Sequence, residues 1–138
     1  MSEARLRGIG KYAHPCYNIT MNTISDLIGP LYQKLLTICA KYDISLDLDI
    51  QDPSLAFDDL SQVSEFLRLQ LLRAIQNCQP GDKITITEQH NDKQVRFSVK
   101  DSGKTLDAKT QQELRDQDYE VRSRYGYDNI VTIKFDIV

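Results

Sequence analysis

Residues 45–50 read SLDLDI, and they alternate without a break. Leu46, Leu48 and Ile50 share one face, and Asp47 and Asp49 share the other. A period of two is the mark of a half-buried strand. The same period returns three times. Ile84 and Ile86 alternate with Thr85 and Thr87. Val95, Phe97 and Val99 alternate with Arg96, Ser98 and Lys100. Val131, Ile133 and Phe135 alternate with Thr132, Lys134 and Asp136. Each strand has one apolar face, so something apolar must cover it. Two long stretches of period 3.6 supply the cover. In residues 23–42 the stripe is Ile24, Leu27, Ile28, Leu31, Leu35, Ile38 and Cys39. In residues 58–78 it is Leu60, Val63, Leu67, Leu71, Ala74 and Cys78, widened by Phe66, Leu72 and Ile75. The expected fold is therefore α+β: a two-layer α/β sandwich with a mixed, mostly antiparallel sheet covered on one face by helices.

The boundaries follow from local chemistry. Thr23 with Asp26 three residues later is close to a capping box. Pro30 lies within the first helix, where it removes one backbone donor. Gln79-Pro80-Gly81-Asp82 and His90-Asn91-Asp92 read as turns, the second closing a hairpin. Cys16 to Met21 is expected as a short strand. Residues 106–119 are polar and are read as a short helix. The charged cluster Arg115, Asp116, Asp118, Glu120, Arg122 and Arg124 is read as a solvated face or mobile loop. Its Tyr119, Tyr125 and Tyr127 give it an alternative role as a partner surface, since Tyr and Arg are favoured there. The 138 residues form one expected domain, with 1–15 a loose leading segment.

Composition excludes several functions. With 27% charged residues and a net charge of −3, the chain has no basic stripe for nucleic acid. The uncharged stretch from Ala13 to Ser25 is too polar and short to insert in a membrane. The first ten residues lack an apolar signal core, so a cytoplasmic location is expected. Cys16, Cys39 and Cys78 are widely spaced, and only His14 and His90 accompany them, so no metal site is expected. His14 precedes Pro15, which disfavours helix there.

Gly103-Lys104-Thr105 has the wording of a phosphate-binding loop. That loop needs a glycine five residues before the GK pair, to turn the backbone and aim its N–H groups at phosphate. Ser98 stands there instead, within a strand. A wider pattern fits better. LLRAIQNCQPGDKITIT (71–87) and VRFSVKDSGKTL (95–106) resemble two segments of the ATP-binding domain of sensor histidine kinases, members of the GHKL or Bergerat-fold ATPases. The resemblance runs from Tyr17 to the end of the chain. It implies that Asp101 faces adenine and that Gly103 lets the chain pass close to the nucleotide. It implies that Arg73 stands where the family has a magnesium-binding Asn, followed by Gln76. Thr105 stands at the second glycine, where its β-branched side chain is expected to take space a nucleotide needs. The lid over the phosphates is reduced to 104–127.

Arg73 cannot ligate a metal. The resemblance therefore points to a degenerate domain with a vestigial nucleotide site at Asp101, Gly103, Thr105 and Arg73. Such a domain has no cofactor and works as a signalling or regulatory protein-interaction module. Its implied partner is a kinase, a response regulator or a helical phosphotransfer domain. Two alternatives stay open. One is a minimal ATP-binding catalytic domain of a two-component sensor kinase, using ATP with magnesium. The other is part of a histidine phosphotransfer or anti-sigma-type regulator.

Overall fold

The computed structural model describes residues 5–6, 22–57 and 59–137. The strand expected at Cys16–Met21, and the residues His14 and Cys16, lie outside them. The elements in chain order are β1 (Arg5–Leu6), β2 (Asn22–Thr23), α1 (Ile24–Lys41), β3 (Ser45–Ile50), β4 (Ala56–Phe57), α2 (Ser61–Asn77), β5 (Lys83–His90), β6 (Gln94–Asp101), α3 (Ala108–Asp116), β7 (Glu120–Arg122) and β8 (Asn129–Ile137).

Helix α1 starts where its cap chemistry starts it. The Asp26 N–H donates to Thr23 Oγ1 at 3.0 Å, and the Thr23 N–H donates to Asp26 Oδ2 at 3.2 Å. The helix runs through Pro30. The Tyr32 hydroxyl then donates to the Leu46 carbonyl at 3.4 Å, tying α1 to β3. Helix α2 begins at Ser61, three residues later than the apolar stripe predicts, with Asp59 Oδ1 accepting from the Ser61 N–H at 2.8 Å.

The main sheet has the order β1-β8-β6-β5-β3, and β7 also pairs with β8. The pairs β5–β6, β6–β8 and β7–β8 are antiparallel, and β3–β5 and β1–β8 are parallel. The sheet is thus mixed and mostly antiparallel, as the alternation predicts. Its parallel step, β3 to β5, is bridged by α2, which such a connection requires. A second, two-stranded sheet joins β2 to β4.

The core lies between the sheet and the helices. Ile84 and Ile86 of β5, Val95, Phe97 and Val99 of β6, and Val131 and Phe135 of β8 meet Ile24, Leu35 and Cys39 of α1 and Val63, Phe66, Leu67 and Leu71 of α2. Burial of each large apolar side chain contributes about 1.5–3 kcal/mol. Phe97 meets Phe57 edge to face, with centroids 6.2 Å apart. Cys39 is a buried apolar residue, and burial pushes its thiol pKa up.

Two segments gain detail that the sequence does not supply. Arg5–Leu6, within the segment expected to be loose, pairs in parallel with Asp136–Ile137. The cluster from Arg115 to Arg124 is a mostly solvated face, one of the two readings, and it holds the end of α3 and the whole of β7. Arg115 donates to the Val121 carbonyl at 3.3 Å, and Glu120 pairs with Arg96 at 2.7 Å and Lys134 at 2.5 Å. Tyr119 stacks edge to face on Phe66 at 5.0 Å. No helix among the described residues is long and apolar enough to cross a membrane.

Candidate functional site

Three strands carry their alternation one step further than the apolar residues do. After Val95, Phe97 and Val99, the next core-facing position of β6 is Asp101. Before Val131 on β8 it is Asn129. After Val121 on β7 it is Ser123. The register sets Asp101 directly opposite Asn129. All three are buried at this end of the sheet, Asp101 and Asn129 fully.

Buried polar groups must find partners, and these find each other. Asp101 Oδ1 accepts from Asn129 Nδ2 at 2.9 Å, from the Gly103 N–H at 3.0 Å and from Asn77 Nδ2 at 3.4 Å. Asn77 and Asn129 also donate to the Lys104 carbonyl, at 2.6 and 2.9 Å. Ser123 donates to Asn129 Oδ1 and accepts from the Leu106 N–H at 2.8 Å. The loop 102–106 is thereby stitched to the end of α2 and the start of β8.

The other oxygen of Asp101 faces Arg73. Arg73 Nη1 lies 3.7 Å from Asp101 Oδ2, an ion pair too long to be a hydrogen bond. Arg73 Nε donates to Gln70 Oε1 at 2.9 Å, which sets the guanidinium plane. Asp101 Oδ2 and both Nη atoms of Arg73 are buried and make no hydrogen bond among the described residues. Burial pulls the Arg73 pKa down, and the Asp101 carboxylate opposes that shift. Burial, with help from Asp101 and Asp82, pushes the nearby Cys78 thiol up to about 12.

The four residues singled out from the sequence therefore divide. Arg73, Asp101 and Gly103 meet at one place. Gly103 is there because nothing larger fits: a Cβ would fall 2.6 Å from the Asn77 carbonyl oxygen. Thr105 does not join them. It is exposed, and among the described residues the only non-glycine positions with positive φ are Asp43 and Asp118. Its β-branched side chain packs against nothing in the network, and its backbone has no need of glycine. Gln76 is likewise exposed.

No family model matches the sequence, and no curated protein matches it. Solved structures do match in fold. The catalytic domain of the histidine kinase ThkA, in a nucleotide-free form, superposes with a TM-score of 0.71 at 15% identity, covering 86% of this chain and 98% of that one. The Acinetobacter baumannii histidine kinase AdeS gives 0.67 at 13% identity, covering 84% of this chain and 66% of that one. This chain has the fold of a histidine-kinase catalytic domain. A third match, at 0.68 and 17% identity, is ThkA in complex with the response regulator protein TrrA, covering 85% of this chain and 41% of that one.

Within the histidine-kinase catalytic fold, segment 104–127 is built into the domain. Asp107 caps α3 by accepting from the Thr110 N–H at 2.7 Å. Leu106, Leu114 and Val121 are buried beneath it. Asn77, Asn129 and Ser123 are the site residues that motif reading misses. Their signal is one of register: Asn129 and Ser123 are polar residues at positions where the alternation demands an apolar one.

Proposed function

We propose that this histidine-kinase-like domain is a regulatory, protein-binding module whose nucleotide site is occupied by its own side chains. The observation that carries the reading is the Arg73–Asp101 contact. The Asp101 carboxylate is fully buried and shares one oxygen among Asn129, Asn77 and Gly103. Its other oxygen lies beneath Arg73. An adenine amino group seeking that carboxylate meets a guanidinium first.

Magnesium with a triphosphate needs oxygen ligands to offset its charge and the repulsion between phosphates. A guanidinium offers only donors, so Arg73 supplies no ligand to a metal ion at this position. ThkA forms a complex with a response regulator, and a response regulator is accordingly the first partner class to test.

Titration with ATP and ADP, with and without magnesium, tests the reading by calorimetry. The expected result is no heat of binding at millimolar nucleotide. Micromolar binding that Asp101→Asn removes would overturn it. A second reading, a working ATP-binding domain, has one observation in its favour. Asp101 Oδ2 and the Arg73 Nη atoms are buried without hydrogen bonds, and such groups cost about 1–3 kcal/mol each until a polar partner arrives. A base edge offering one donor and one acceptor would satisfy both residues.

A further inference from the structure

Strand pleating sends alternate residues to opposite faces of a sheet. Asp101 and Asn129 face the core, so Lys100, Ile130 and Arg122 face away from it. There they line a recess of about 240 Å³, completed by Ser123, Arg124, Tyr127 and Asp128. Its floor is Ile130, half-buried, which pairs with Lys100 on β6 and with Arg122 on β7. An apolar floor thus has a cation on either side. Arg124 is held over the Tyr127 ring, 4.8 Å from its centroid, which restricts where the guanidinium swings.

The charges at this place are out of balance. Elsewhere on the surface Lys83 has Asp47 at 3.0 Å, and Arg96 and Lys134 share Glu120. Around the recess three cations face one carboxylate, Asp128, which lies 3.8 Å from Lys100. Arg122 and Arg124 have no carboxylate within ion-pair distance among the described residues. Two guanidinium forks and an ammonium match a dianion with several acceptor oxygens better than a single carboxylate. A phosphate carries a charge of about −1.5 to −2 at neutral pH. The volume is several times a water's share of about 30 Å³, which leaves room for part of the group carrying the phosphate.

We propose that this recess, behind the Arg73–Asp101 site, binds a phosphate monoester, with the phosphate between Arg122, Arg124 and Lys100 and its carrier against Ile130 and Tyr127. The proposal does not depend on whether Asp101 ever meets a nucleotide. It is tested by amide chemical-shift titration of the whole chain with inorganic phosphate, phenyl phosphate and acetate. Phosphate and phenyl phosphate are expected to shift the amides of residues 100, 122–124 and 127–130 saturably, phenyl phosphate with the higher affinity, and acetate not at all. Stronger binding of phenyl phosphate than of inorganic phosphate identifies an esterified source over the free ion. The double variant Arg122→Gln/Arg124→Gln is expected to weaken phenyl phosphate binding at least about tenfold, the loss of two charge-assisted contacts. Its thermal midpoint should stay unchanged, because both side chains are exposed. Lys34→Gln, on the exposed face of α1, should bind as the parent does. Equal binding by the double variant, an acetate response matching phosphate, or shifts scattered over the surface would each overturn the proposal. If the double variant does not fold, Lys100→Gln alone provides the same comparison, with a smaller expected loss.

Discussion

A Cβ on Gly103 would stand 2.6 Å from the carbonyl oxygen of Asn77, at the end of α2. Backbone meets backbone there, and neither can move aside cheaply. Gly103→Ala is therefore expected to destabilise the fold by about 1–3 kcal/mol, the usual cost of overpacking. Urea unfolding at constant m-value measures it. An unchanged midpoint would mean that the loop 102–106 gives way more easily than its hydrogen bonds imply.

Arg73→Asn replaces the guanidinium with a short amide that cannot reach over Asp101 Oδ2. If the guanidinium is what keeps a base out, the variant should bind ATP where the parent does not, read as a new calorimetric isotherm. Its stability should fall by only about 1–3 kcal/mol, because Asp101 keeps its three donors. A variant that folds and still ignores nucleotide would remove Arg73 as the cause.

Cys78 should be slow to alkylate. Its thiol is pushed up to about 12, first by burial and then by Asp101 and Asp82. At pH 8 roughly one molecule in ten thousand carries the thiolate that reacts. The sign for stability follows. The folded state holds this proton more tightly than the unfolded state, so its contribution is complete below the unfolded thiol value of about 8.5. It is lost as pH rises from there toward 12. Iodoacetamide labelling of native against unfolded protein at pH 8 checks the first statement, and urea midpoints at pH 8 and pH 10 check the second.

Glu88, like Asp101, is a charged residue with no exposed surface. Its Oε1 accepts from the Asp52 N–H at 3.2 Å, and its Oε2 lies 2.6 Å from His90 Nδ1. Both partners lose their acceptor in Glu88→Ala, for an expected cost of about 3–5 kcal/mol. Glu88→Gln keeps one acceptor oxygen and should cost about half as much. Equal losses in the two variants would show that volume, not hydrogen bonding, is what the site needs.

How far the sequence could be read depended on what kind of signal each part carried. The helix 23–42 was legible because its cap and stripe agree, and both are local. The hairpin was legible because its period of two brackets a polar turn, whose Asn91 accepts from the N–H groups of Lys93 and Gln94 at 2.8 and 2.9 Å. Strand β7 was hidden: Glu120–Arg122 has one apolar residue, Val121, flanked by charges, and it becomes a strand only because β8 offers an edge. Asp101 and Gly103 were found through a linear pattern. Asn129 was missed although it lies opposite Asp101, because 28 residues separate them and only the β6–β8 register joins them. Thr105 misled for the converse reason. It is near Asp101 in sequence, but the chain has already turned outward.

That register has a consequence for how the chain reaches this state. Strand β8, the last of the described strands, is interior to the sheet, with β6 along one side and β7 and β1 along the other. Residues 129–137 must arrive before β7 or β1 has an edge to join. Assembly is then dominated by pairings between distant parts of the chain, which slows folding and leaves the β6 edge bare until late. An inhibitor or chaperone that captured that transient edge would act before Arg73 and Asp101 ever meet.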